Sequence, residues 1–186
     1  MPNLKYGTYY SATNAPGNKT QRLIIVVVII AVVLGGGLFA LTLLNGNSKN
    51  DLTLLAVREN SLVAVTGAPT NVSNIRNPDL STANSNATIL LTSDVSNLVI
   101  NGGVKQLPGD LVKKEADTNG DNLKQAALLD KFDITYRQLI MQKVEALIAE
   151  AQALRSTLNT KSTKSAVDQS IVNLQAIDKQ FTQLKL

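Results

Sequence analysis

The chain has 186 residues, with 18 lysines and arginines against 14 acids, and contains no histidine and no cysteine. Those two absences exclude Ser-His and Cys-His nucleophiles, thiol redox chemistry, imidazole or thiolate metal sites and the usual haem ligands. The alkaline pI of about 9.3 invites a nucleic-acid reading, which the placement of the charges removes.

Residues 1–22 are polar, contain Gly and Pro, and show no apolar period, so they are expected to form a disordered tail. They carry Lys5, Lys19 and Arg22, no acid, and three of the four tyrosines (Tyr6, Tyr9 and Tyr10). Residues 23–44 (LIIVVVIIAVVLGGGLFALTLL) then hold no charge and a single hydroxyl, Thr42. As a helix they would be ~33 Å long, enough to cross a ~30 Å hydrocarbon layer. A cleaved signal peptide has a shorter apolar core and a small-x-small end, whereas this one ends Leu43-Leu44-Asn45-Gly46. An uncleaved signal anchor is therefore expected, and the segment is the predicted contact with the lipid bilayer. Its basic flank keeps the tail cytoplasmic and puts residues 45–186 outside, a single-pass protein of the cytoplasmic membrane. Ala31-xxx-Gly35 and Gly36-xxx-Ala40 permit close helix approach and self-association. Setting aside the three tail cations leaves 15 basic residues against 14 acidic ones. The outer part is thus near neutral, and no nucleic-acid partner is expected.

Residues 45–50 read as a linker with turn chemistry, and residues 51–186 as one extracytoplasmic helical domain. Asp51 is placed to cap a helix with Leu52, Leu55, Leu62 and Val65 at helical spacing, ending at Gly67. Residues 62–66 are also β-friendly, so a pair of strands stays open there. Residues 68–77 read as a loop. Asn77-Pro78 is an N-cap followed by proline at the first helical position. From it Leu80, Ala83, Ala87, Leu90, Leu91 and Leu98 recur at helical spacing up to a stop at Gly102-Gly103. Abundant Asn, Ser and Thr weaken this helix, and short strands in residues 88–92 and 98–100 remain an alternative.

Between Asp121 and Leu186 there is neither Gly nor Pro. Ile140, Val144, Leu147, Ala151, Leu154 and Leu158 form an a/d stripe, which Leu129, Phe132 and Tyr136 extend upstream. One helix is expected from about Asn122 to Leu158. After residues 159–164, Ser165-x-x-Asp168 resembles a capping box, and Val167, Ile171, Leu174, Ile177, Phe181 and Leu184 stripe a second helix. The short polar connection predicts an antiparallel hairpin. The expected fold class is all-α: a transmembrane helix, then a bundle of about four helices ending in that hairpin.

Residues 117–122 (DTNGDN) resemble the first half of an EF-hand or dockerin-like calcium loop, but the glycine position holds Asn122 and the twelfth holds Leu128. An Asx-rich turn with Asp121 capping the long helix is the preferred reading. Glu145 and Glu150 lie five apart and do not share a helix face. Asp130 and Asp133 read as ordinary surface beside Lys131 and Arg137. Asn71 and Asn86 head Asn-x-Ser/Thr triplets that matter only in a glycosylating pathway. No Ser-x-x-Lys, Gly-x-Ser-x-Gly, P-loop or dinucleotide fingerprint occurs. No catalytic, cofactor-binding or metal-ligating residue is assigned, and a non-enzymatic role is expected.

The order of parts resembles uncharacterised signal-anchored helical envelope proteins of episymbiotic candidate-phylum bacteria. The parts that carry the likeness are a polar tail, residues 23–44, an Asn/Ser/Thr-rich helix around residues 84–97, and Phe132-Asp-Ile-Thr-Tyr136 opening a helix hairpin. The resemblance implies an envelope location and no particular activity. A looser likeness is to the four-helix sensor domains of bacterial chemoreceptors, from which the chain departs by lacking a second spanning helix and a cytoplasmic signalling domain. The expected function is a protein-interaction or scaffolding surface, through a protein partner or self-association. The alternative is a small-ligand-binding, sensor-like domain, which a cavity containing Arg137 or another unpaired polar group would favour.

Overall fold

A computed structural model describes residues 48–105 and 107–186, including the side chains of 50–105, 107–114 and 123–186. The tail and residues 23–44, with their small-residue pairs, lie outside the described residues. Among the described residues six helices follow in order: α1 Ser48–Gly67, α2 Pro69–Asn74, α3 Pro78–Ile100, α4 Gly109–Leu128, α5 Phe132–Thr157 and α6 Lys161–Gln183. No strand occurs among the described residues, so the 62–66 and 88–100 runs are helical. No helix among them is long and apolar enough to cross a membrane.

α1 packs against α3, α4 and α5, while α6 packs against α3 and α5. The ring α1–α3–α6–α5 is a four-helix bundle in which each neighbour is antiparallel, and α4 is a fifth helix laid against α1 and α5. The proximal end, where the chain comes in at Ser48, gathers the start of α1, the end of α3 and the α5–α6 connection. The distal end gathers α2, the start of α3, the α4–α5 turn and the end of α6.

α1 is more enclosed than its stripe predicts. Residues 55–59 are buried without interruption, and Ser61, Leu62, Val65 and Thr66 are buried after them. A helix covered on most of its faces is closer to a core helix than to an amphipathic one. It already runs at Ser48, so residues 48–50 are not linker and Asp51 lies inside the first turns instead of capping them. Residues 68–77 are not wholly loop either, because proline at the first helical position starts the single-turn-scale α2.

α3 begins as expected: the Asn77 side chain accepts from the N–H groups of Asp79 (2.9 Å) and Leu80 (3.0 Å). Its weak formers are accommodated by hydroxyls turned back four residues, Thr82 to Pro78, Ser85 to Ser81, Thr88 to Asn84 and Thr92 to Thr88, each donating to a backbone carbonyl. The helix ends where Gly102 brings its Cα against the Leu98 carbonyl, leaving no room for a Cβ, and Gly103 takes φ +81°.

The single long helix expected from Asn122 to Leu158 is two helices. Residues 122–128 end α4, and a turn at Leu129, Asp130 and Lys131 precedes α5. Asp130 adopts φ 56°, the left-handed region, without a glycine, and the Lys131 N–H donates back to the Ala126 carbonyl (3.0 Å). The hairpin stripe is otherwise as read: Ile140, Val144, Leu147, Ala151, Leu154 and Leu158 are all buried, as are Val167, Leu174, Ile177 and Phe181. Leu129 is exposed, so the stripe starts at Phe132. The capping box at Ser165 is not used. α6 is capped five residues earlier, with the Thr160 hydroxyl accepting from the Thr163 N–H (3.2 Å). Asp168 instead pairs with Arg155 across the hairpin.

Candidate docking groove and buried polar layer

A groove of about 1090 Å³ opens between α1, α2 and α4. Its walls are Asn60, Ala64 and Val65 of α1, Thr70, Asn71 and Asn74 of α2, Val112, Leu123, Ala127 and Leu128 of α4, and Phe132. Among the described residues the charged ones on it are Lys113 and Lys124. Leu128 stands 86 % exposed at its rim, where an apolar side chain gains nothing from water.

Local chemistry fixes these walls. The Asn71 side-chain amide donates to the Val65 carbonyl (2.9 Å), folding α2 back over the end of α1. The Asp133 carboxylate accepts the backbone N–H groups of Arg76 (3.1 Å) and Asn77 (2.8 Å), binding the α2–α3 link to the first turn of α5. Phe132 stacks on Tyr136 with centroids 5.4 Å apart. The Tyr136 hydroxyl donates to the Asn84 side chain (2.5 Å), whose amide donates to the Thr66 carbonyl (2.9 Å). This chain joins α5, α3 and α1, and burial pushes the Tyr136 hydroxyl to a higher pKa.

A second arrangement lies deeper. Arg58 and Glu150 form a buried ion pair at 2.6 Å between α1 and α5. The neighbouring Glu59 accepts from the Ser170 hydroxyl of α6. Asn173, one turn on, donates its amide to Asp94 of α3 (2.6 Å). All four ring helices therefore contribute to one polar layer. Desolvation pushes Glu59 well above the ordinary carboxylate range, and the charges of Asp94 and Glu150 push it further, against the Ser170 hydrogen bond. Desolvation likewise raises Asp94 to about 7, against the hydrogen bond from Asn173. Glu59 Oε2 and Asp94 Oδ2 accept no hydrogen bond among the described residues. Protonation of these carboxyls is the way such a layer avoids two buried charges.

The residues singled out by sequence separate. The backbone of residues 117–122 is helical inside α4, so Asp121 does not stand at a helix start; the side chains there lie outside the described residues. Among the described residues no group of three or more acids is placed to hold a metal ion. Glu145 is exposed while Glu150 is buried. Asp130 and Asp133 are not ordinary helix surface: Asp130 makes the left-handed turn and pairs with Arg76, and Asp133 holds the α2–α3 link. Arg137 is engaged at the end of α6. Its guanidinium donates to the carbonyls of Phe181 (2.8 Å) and Thr182 (3.0 Å), closing the end of α6. Asn71 is spent on the Val65 carbonyl, and Asn86 is exposed on α3.

The polar layer was missed because charged residues in a helical period read as solvated. One signal was present: Arg58-Glu59-Asn60-Ser61 is a lone polar turn between two apolar stretches. No protein-family pattern, curated protein sequence or solved structure matches this chain, so the functional argument rests on the arrangement itself.

Proposed function

We propose that the protein is a non-enzymatic, signal-anchored envelope protein whose helical bundle presents a protein-interaction surface on the outer side of the cytoplasmic membrane. In this reading residues 23–44 hold the bundle at the bilayer, and the distal groove receives a partner protein. The observation that carries it is the groove: an open, largely apolar surface of about 1090 Å³ with Leu128 exposed on its edge. Arg137, one of the groups whose presence in a cavity would favour a ligand site, is committed to the end of α6. The order of parts also supports kinship with the signal-anchored envelope proteins named above.

A photo-crosslinking residue at position 128 of the full chain, expressed in cells of the source type, tests the reading. The expected result is a discrete crosslinked protein, identified by mass spectrometry, that disappears when Val112→Glu charges the groove. Crosslinking to lipid alone, or a pattern unchanged by Val112→Glu, overturns it. A low-molecular-weight adduct at that position favours the ligand-binding alternative.

A further inference from the structure

We propose that the proximal end of the bundle is a binding surface for anionic phospholipid headgroups, formed by Lys105, Lys161 and Lys164. The inference rests on the reading of residues 23–44 as a membrane anchor. It starts from chain length. α1 is already helical at Ser48, so only residues 45–47 separate it from Leu44. Fully extended, that chain places Ser48 no more than ~14 Å from Leu44. The proximal end therefore stands within reach of the headgroup layer, at a distance close to the ~8–10 Å over which salt screens charge.

The charge found there is predominantly positive. Lys105 is exposed in the link after α3, and Lys161 and Lys164 occupy the first turn of α6. The Ser162 hydroxyl donates to the Asn101 carbonyl (2.8 Å), holding the start of α6 to that link, so the three lysines share one end. Lys105 borders a recess of about 650 Å³ that Asn50, Asn159 and Thr163 also line, polar side chains of the kind that hydrogen-bond a phosphate ester. Against them stands Asp51, partly buried in α1, while Arg155 and Asp168 neutralise each other. The lysines do not serve their own helix: the first turn of α6 has no acid, and cations there oppose the helix dipole. A negatively charged surface facing that end removes the conflict.

The test uses the full chain in lipid nanodiscs of phosphatidylcholine, with or without phosphatidylglycerol. Because the chain has no cysteine, Asn159→Cys gives a single fluorophore at the proximal end and Asn74→Cys one at the distal end. A quencher on the lipid headgroups reads the approach of each. Quenching at position 159 is expected to rise several-fold when phosphatidylglycerol is present, with position 74 unchanged and high salt reversing the rise. Each Lys→Gln substitution at 105, 161 and 164 is expected to lower the docked population about fivefold. The triple Lys→Arg variant is expected to dock like the parent. Equal quenching in both discs, or a rise unaffected by the triple Gln variant, overturns the headgroup surface while leaving the anchor intact. A chain that fails to migrate with the discs at all overturns the anchor and this inference together.

Discussion

Glu59 and Asp94 set the pH response of the bundle, because burial raises both carboxyls above their unfolded values. A carboxyl raised by folding binds its proton more tightly in the native state. Its stabilising contribution is complete below the unfolded value near 4 and is lost as pH climbs through the folded value, about 7 for Asp94. Urea unfolding should therefore show the domain more stable at pH 5 than at pH 8.5 by on the order of 2 kcal/mol. Asp94→Asn should flatten much of that slope. Arg58 and Glu150 obey a different rule: removing one partner leaves a buried charge behind. Glu150→Ala should cost ~3–5 kcal/mol in the same assay, and the joint change Arg58→Met with Glu150→Leu much less. None of these roles was legible from single residues. Glu145 and Glu150 look alike in the sequence, and only the approach of α1 from 92 positions away separates them.

The turn between α4 and α5 shows where periodicity stops being informative. Leu128 and Phe132 are four apart and would share a face of one continuous helix, yet Leu128 is exposed and Phe132 buried. The chain turns because Asp130 accepts a left-handed backbone and the Asp133 carboxylate is engaged by the α2–α3 link. Neither effect requires the glycine or proline that usually announces a break. Asp130→Gly should leave the domain more stable than Asp130→Val by ~1–2 kcal/mol in denaturant melts, since a β-branched side chain resists positive φ. Tyr136→Phe should cost ~1–2 kcal/mol, because the Asn84 side-chain oxygen loses its buried donor. Elsewhere the elements were readable: the Asn77-Pro78 start and the Gly102-Gly103 stop of α3 sit where local chemistry puts them. The capping signal at Ser165 misled because Thr160 offered an equivalent hydroxyl one turn earlier.

At the scale of the molecule, the four-helix ring followed from stripes that no helix could bury alone. The placing of α4 outside that ring did not, since its partners lie on α1 and α5 and leave no local trace. The groove exists because α4 is additional to the ring, so α4 is the element to alter when the proposed docking role is tested and the bundle kept. Leu123→Asp should abolish partner capture and also lower the melting temperature, whereas Leu128→Glu should abolish capture with the melting temperature unchanged. The most enclosed helix is also the one that leads out of the bundle at Ser48. Tension applied at that point runs along the axis of α1 and must slide it past α3, α4 and α5 together, instead of peeling a helix from the edge. Pulled from Ser48 against Leu186 in an optical trap, the domain should yield abruptly at high load, whereas a pull between Lys161 and Leu186 should strip α6 gradually. With the proposed anchor, a tether joined to the innermost helix would make the bundle a firm grip rather than a hanging weight.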